Sequence, residues 1–421
     1  MDTTRGTMRS VRAERTRSAI VTAAHDAFVS RGYRATSLRE ISAAAGVSHP
    51  GLLRHFATKG ELLAAVMATL QLDNEELVLE HLAHDDGGML DFGAIARRNA
   101  AVPGYLPLFA ALTGEASTSH HPAHGLMRER YARLVELSTQ LLRDAMDHGV
   151  VASDRDPHAE AIRIAAAWDG LQLLSQYLPG RVDVATSLEV YQEALALPRG
   201  WREQGDSRRA VPPASFPRVA EVGADEGVPM LGYRVGRDRR ARIVADAMAL
   251  FARDGYGDTS LQDIAAAVGV SKSTLLHHYP TKETLLSAVL AERDRGIPRP
   301  LPAPARAADV LRGMPAGARL NAEQAPGLIE VYAVLSCEAV PTSHPAHGYF
   351  AERFAGALDL LTALLRAAQA DGDLPRHRDP AFEAVWLVAL WDGLQYQWLY
   401  DRDGVDVAAH LASHLEDLLP G

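Results

Sequence analysis

The sequence predicts an all-α protein made of two similar units that form a pseudo-dimer within one chain. Three observations carry this. First, residues 223 apart often coincide: Phe28 with Phe251, Gly46-Val47-Ser48 with Gly269-Val270-Ser271, His121-Pro122-Ala123-His124-Gly125 with His344-Pro345-Ala346-His347-Gly348, and Trp168-Asp169-Gly170-Leu171-Gln172 with Trp391-Asp392-Gly393-Leu394-Gln395. Second, no run of alternating β-branched residues reaches strand length. Third, each unit opens with short helix signals around a glycine. A repeat this long is no solenoid. In 421 residues it leaves each unit enough chain for its own core.

The elements follow in order. A first helix is expected over about Arg15–Ser30, with Ile20, Ala24, Ala27 and Phe28 on one face and Gly32 ending it. Ser37-Leu38-Arg39-Glu40 reads as a capping box opening a short helix to about Ala45. Gly46 makes the sharp turn, and Ser48 caps a second short helix, about His49–Phe56. Thr58-Lys59-Gly60-Glu61 is a second box that starts a long helix through Leu77. Further helices are expected near Gly125–His148 and Pro157–Tyr177. Prolines and glycines interrupt any period over 198–233, a linker expected to behave as a coil. The resulting boundaries are a head at 10–63, a body at 64–197, the linker at 198–233, a second head at 234–286 and a second body at 287–421.

Composition narrows the function classes. The formal net charge is −10, yet residues 1–63 carry +5 and residues 232–286 carry +2. Two basic heads on acidic bodies leave only the heads as surfaces for a polyanion. The single cysteine, Cys337, excludes an internal disulfide and a cysteine zinc finger. The apolar stretches are too short to span a bilayer, and no secretory core follows the N-terminal arginines, so a cytoplasmic location is expected. No phosphate loop, nucleophile elbow or metal-pair helix is visible, so no enzyme, catalytic residue or cofactor is expected. His121 and His124, with neighbouring His120 and Glu115, and their repeat His344 and His347 with Glu338 have a spacing possible for ligands, but no cysteine or third histidine completes a convincing site. A polar helix entrance explains them, and no metal is expected.

Helix, glycine turn, helix and long helix is the helix-turn-helix plan. The strings Thr36-Ser37-Leu38-Arg39-Glu40-Ile41, Gly46-Val47-Ser48, His55-Phe56 and Thr58-Lys59, with Thr259-Ser260-Leu261-Gln262-Asp263-Ile264, Gly269-Val270-Ser271, His278-Tyr279 and Thr281-Lys282, resemble the heads of the TetR family of bacterial regulators. The resemblance implies heads that read operator DNA, and helical bodies that bind an effector and dimerise through their last two long helices. Such a regulator is a repressor released by a small molecule. Two identical units would select a palindrome. Here His49, Pro50, Gly51 and Arg54 stand opposite Lys272, Ser273, Thr274 and His277, so an imperfect palindrome is expected.

The candidate DNA contacts are Ser37, Ser48, His49, Gly51, Arg54, His55 and Lys59 in the first head. In the second they are Ser260, Ser271, Lys272, Ser273, Thr274, His277, His278 and Lys282. Lys59 and Lys282, at helix N-termini, are assigned to phosphate. The candidate effector contacts are Tyr105, Phe109, Trp168, Gln172, Tyr332, Trp391 and Gln395. Leu53 and Leu276 stand where the family often has an aromatic at the DNA backbone. That departure leaves an alternative, an interaction or antagonist protein that no longer binds DNA specifically. Association of two chains into a pseudo-tetramer is also left open.

Overall fold

The computed structural model describes all residues except 1–2, 34–35, 85–88, 120, 207–208, 210–211, 215–233, 297–304 and 421. The first unit contains α1 (Thr3–Arg31), α2 (Leu38–Ala44), α3 (His49–Leu53), α4 (Lys59–His84), α5 (Phe92–Ala101), α6 (Tyr105–Glu115), α7 (His124–Asp147), α8 (Pro157–Tyr177) and α9 (Val184–Ala194). The second contains α10 (Arg234–Asp258), α11 (Leu261–Val268), α12 (Lys272–His278), α13 (Lys282–Gly296), α14 (Ala307–Arg312), α15 (Met314–Gln324), α16 (Pro326–Glu338), α17 (His347–Ala370), α18 (Pro380–Tyr400) and α19 (Val407–Leu418). Among the described residues no strand forms; Ala214 and Ala305 make an isolated bridge. The 223-residue offset is kept in the boundaries themselves, α7 with α17 and α8 with α18.

Local chemistry sets these ends. Ser37 and Ser260 close reciprocal capping boxes with Glu40 and Asp263, and Ser48 and Ser271 cap the next helices. Each such cap stabilises by about 1 kcal/mol. Gly46 and Gly269 turn the chain at φ 67° and 74°, a region open to glycine without a Cβ penalty. At the start of α4 the Thr58 hydroxyl accepts from the Glu61 amide at 3.0 Å, and the Glu61 carboxylate reaches the Ala57 amide at 2.9 Å, one residue beyond the expected box. α1 begins at Thr3, twelve residues before the expected start. Pro298, Pro300, Pro302 and Pro304, which follow α13, lie outside the described residues.

The halves meet along α8 and α18. An ideal Cβ on Gly170 would sit 2.0 Å from the Ala389 carbonyl oxygen, and one on Gly393 would sit 1.7 Å from that of Ala166. Only glycine permits this approach. The contact is reciprocal, because 170 with 389 and 166 with 393 are one pair seen from each half. Others obey the same rule. Tyr177 Oη donates to the Ser336 carbonyl (2.5 Å) and Tyr400 Oη to the Thr113 carbonyl (2.8 Å). His347 stacks on Tyr177 and His124 on Tyr400, with centroids 5.1 and 5.3 Å apart. This is the pattern of an isologous twofold contact. α6 and α16 also pair across the halves, at Gly114 against Cys337, a contact the sequence reading did not anticipate. The buried cores follow the same path: one apolar cluster runs from the first body through the second unit, and the cluster under the first head includes Tyr400.

The described part of 198–233 is not the coil expected. The Gly200 amide donates to Asp417 (2.7 Å), Arg202 donates to the carbonyls of Gly372 and Asp373 (2.8 and 2.7 Å), and the Arg209 amide donates to that of Asp371 (2.8 Å). Two of its backbone amides and the Arg202 guanidinium find acceptors on the second body, which fixes a segment that composition alone marks as loose. Residues 215–233 lie outside the described part.

Candidate DNA-reading heads and effector cavity

In each head the buried leucine of the third helix, Leu52 or Leu275, anchors it to the head core and turns the rest outward. Ser48, Pro50, Leu53 and Arg54 are exposed in the first head, with His49 and His55 half-buried. Ser271, Lys272, Ser273 and His277 are exposed in the second, with Thr274 and His278 half-buried. The hydroxyls of Ser273 and Thr274 bond to that of Ser271 at 2.9 and 2.8 Å, so they serve the helix cap. Gly51 is buried, and a Cβ there would meet Ser48 Oγ at 3.0 Å. It lies against the cap, not at the outward face where the sequence reading placed it.

Lys59 and Lys282 also point differently from expectation. Lys59 Nζ donates to the carbonyls of Tyr33 and Thr36, both at 2.8 Å, and lies 4.4 Å from the Tyr33 ring centroid. Lys282 Nζ donates to the Gly257 carbonyl at 3.3 Å and lies 4.2 Å from the Tyr256 ring. The glycine turn after α1 leaves carbonyls facing the start of α4, and the ammonium fills that place. These lysines clamp the head together. Arg17 over Phe56 (4.5 Å) and Arg240 over Tyr279 (5.1 Å) add the same contact to both heads.

The repeated histidines tie head to interface. His121 stands edge-on to Tyr33, centroids 5.1 Å apart, and its Nδ1 accepts from the Ala123 amide at 3.2 Å. His124 bonds the Ala116 carbonyl at 2.9 Å and stacks on Tyr400. His344 and His347 repeat this with Tyr256 and Tyr177. Burial pushes His344 down to about 4. Among the described residues no group of histidine, cysteine and carboxylate side chains could hold a metal ion; His120 lies outside them.

The first body holds a partly open cavity of about 100 Å³ between α4, α5, α6, α7 and α8. Phe92, Tyr105, Leu137, Trp168, Arg130 and Asp169 are among its walls. Phe92 and Trp168 meet edge to face, with centroids 6.2 Å apart. Asp169 accepts from Tyr131 Oη at 2.5 Å, and burial raises its carboxyl against the opposing pull of Arg130. Of the expected effector residues, Tyr105 and Trp168 line this space. Phe109 lies below it, 4.9 Å under the Arg130 guanidinium. Gln172 is buried further along α8. In the second body Tyr332 lies under the guanidiniums of Arg293 (4.1 Å) and Arg353 (5.5 Å), Gln395 is buried in α18, and half-buried Trp391 lies near Gly317, where an added Cβ would meet its ring at 3.9 Å. Arg130 was not among the residues expected to contact an effector. Its signal was present: Arg130 and Arg353 repeat at the 223-residue offset on otherwise apolar helix faces.

Two helix-turn-helix heads on helical bodies define a regulator that binds DNA. The family model described as "Bacterial regulatory proteins, tetR family" matches residues 20–66 and again 243–289. The model described as "BetI-type transcriptional repressor, C-terminal" matches 106–197 and 336–420. The chain belongs to the TetR family, with two of its units fused in tandem. It is 28% identical over 180 residues to the A-factor receptor protein of Streptomyces griseus, covering 42% of this chain and 60% of that relative's length. It is 26% identical over 186 residues to the transcriptional regulator TtgR of Pseudomonas putida, covering 42% of this chain and 88% of that relative. A solved structure of a regulator from Saccharomonospora viridis in complex with choline aligns at a TM-score of 0.37 and 26% identity, over 43% of this chain and 95% of that one. Among the described residues no helix is long and apolar enough to cross a membrane.

Proposed function

We propose that the chain is a ligand-responsive repressor that binds an asymmetric, pseudo-palindromic operator as a single-chain pseudo-dimer. The observation that carries this is the combination of a reciprocal contact between the halves with two unlike outward surfaces. Gly170 and Gly393 seat the bodies on each other, while Arg54 faces out of one head and Lys272 and His277 out of the other. One chain then supplies what two identical chains supply in a homodimer. Ser37, Ser48, Ser260 and Ser271 hold the reading helices at their caps, and His49, His55 and His278 flank them.

A small molecule in a body shifts the population of head arrangements when it prefers the released one. His121–Tyr33 on the head side and His124–Tyr400 on the interface side are the contacts through which such a shift travels. The test is a gel shift at moderate salt with DNA from upstream of the protein's own gene. The reading expects binding well above that to random duplex. Equal binding to both duplexes would leave the second reading, a family member that acts through protein contacts.

A further inference from the structure

We propose that the cavity of the first body, and not its counterpart in the second, is the effector site, and that it selects an apolar molecule bearing one neutral carbonyl. This rests on the ligand-responsive reading above and names its ligand class. The walls are apolar apart from a few groups, of which Arg130 is decisive. Nε and Nη1 of Arg130 are buried and have no hydrogen-bond partner among the described residues. Buried donors left without acceptors are destabilising, and a bound oxygen at that point removes the penalty. The charge of the guanidinium is already opposed by Asp169 beside it. What Arg130 lacks is therefore lone pairs and not a counter-charge. A carbonyl oxygen supplies lone pairs. A carboxylate would add a second buried anion next to Asp169, and an ammonium would set two cations together.

In the second body the equivalent arginine already has its acceptor. Arg353, the counterpart of Arg130, donates to Asp294 Oδ1 at 2.7 Å. Tyr349 Oη donates to the other oxygen of Asp294 at 2.7 Å, and Arg293 lies over Tyr332. Asp294, Tyr349 and Arg293 stand where the first unit has Gln71, Leu126 and Leu70. Ser138 in the cavity wall becomes Leu361.

The test is calorimetry on the full chain without DNA, so its outcome is separate from whether the chain acts on an operator. The probes are 2-octanone, octanoate and octylamine. The expected result is one site per chain, with 2-octanone bound tightest. Arg130→Met, which keeps the apolar stem, should weaken 2-octanone tenfold or more and leave octylamine no weaker. Ser138→Leu, which installs the second unit's residue, should abolish binding, and melting temperatures of both variants confirm that they fold. Octanoate or octylamine binding tighter than 2-octanone, two equal sites per chain, or unchanged binding in folded Arg130→Met would each overturn the proposal.

Discussion

At the scale of single residues, the two units differ where one substitution changes the company of another. Glu160 accepts from Arg155 (3.1 Å), Arg163 (2.8 Å) and Tyr191 (2.8 Å). Against the upward push of burial, Arg163 and Arg155 hold its carboxyl below the usual range. In the second unit Trp386 replaces Arg163, and Glu383 keeps only Arg378 at 3.2 Å, with its Oε2 unpartnered among the described residues. Burial then pushes Glu383 up to about 7 from 4.5. Between those values the folded chain holds a proton that the unfolded chain has released, so this group makes stability fall as pH rises, until about 7. Glu383→Gln should remove that slope, on the order of 1–3 kcal/mol. Urea unfolding of both proteins from pH 5 to 8 checks it, and parallel curves would contradict it. The heads differ in the same way. Arg54→Ala should weaken one half-site by about 1–3 kcal/mol if it contacts a base, and Lys272→Ala only the other. Binding to operators mutated in one half at a time reads this, and an equal loss in both halves would show equivalent heads.

At the scale of elements, α8 and α18 depend on backbone contact. Gly393→Ala puts a methyl 1.7 Å from the Ala166 carbonyl, so the helices must separate. A loss of about 1–3 kcal/mol or more is expected. Gly125→Ala, with nothing within 4 Å of the added Cβ, should leave stability unchanged or raised. The difference between the two in denaturant unfolding isolates the contact from the substitution. Signals carried by neighbours in sequence were legible. Ser37 with Glu40, Ser48, and Gly46 placed the reading helices to within a few residues. Gly170 and Gly393 announced a close helix approach. What was hidden depends on residues far apart in the chain. Lys59 reads as an exposed base at a helix start, and only the fold brings the Tyr33 and Thr36 carbonyls to it. The cavity needs α4, α5, α6, α7 and α8 at once, and helical periodicity alone does not state which arginine of Arg128, Arg130 and Arg133 turns inward, although only Arg130 is repeated in the second unit. The linker's anchoring on Asp417 and Asp373 was hidden for the same reason.

At the scale of the whole molecule, equivalent positions that meet on the pseudo-twofold axis are occupied by unlike residues. Gly114 faces Cys337, where a Cβ would sit 2.5 Å from the Cys337 Cβ, and Tyr191 lies beside His414. Two first units would set glycine against glycine and leave a void. Two second units would set cysteine against cysteine and clash. Unlike pairing is favoured over both, which is discrimination against self-association. A protease site placed within 215–233 and an affinity tag on one half test this: after cleavage the tagged half should retain the other in equal amount, in a complex near the 45.5 kDa of the intact chain. Halves that sort into like pairs would show that the axis does not discriminate. The central claim, that one chain replaces a homodimer on DNA, is met most directly by native mass spectrometry of the protein with its operator duplex. The account predicts a complex of one 45.5 kDa chain per duplex, unchanged as protein concentration rises. Two chains per duplex at the lowest concentration that binds would contradict it.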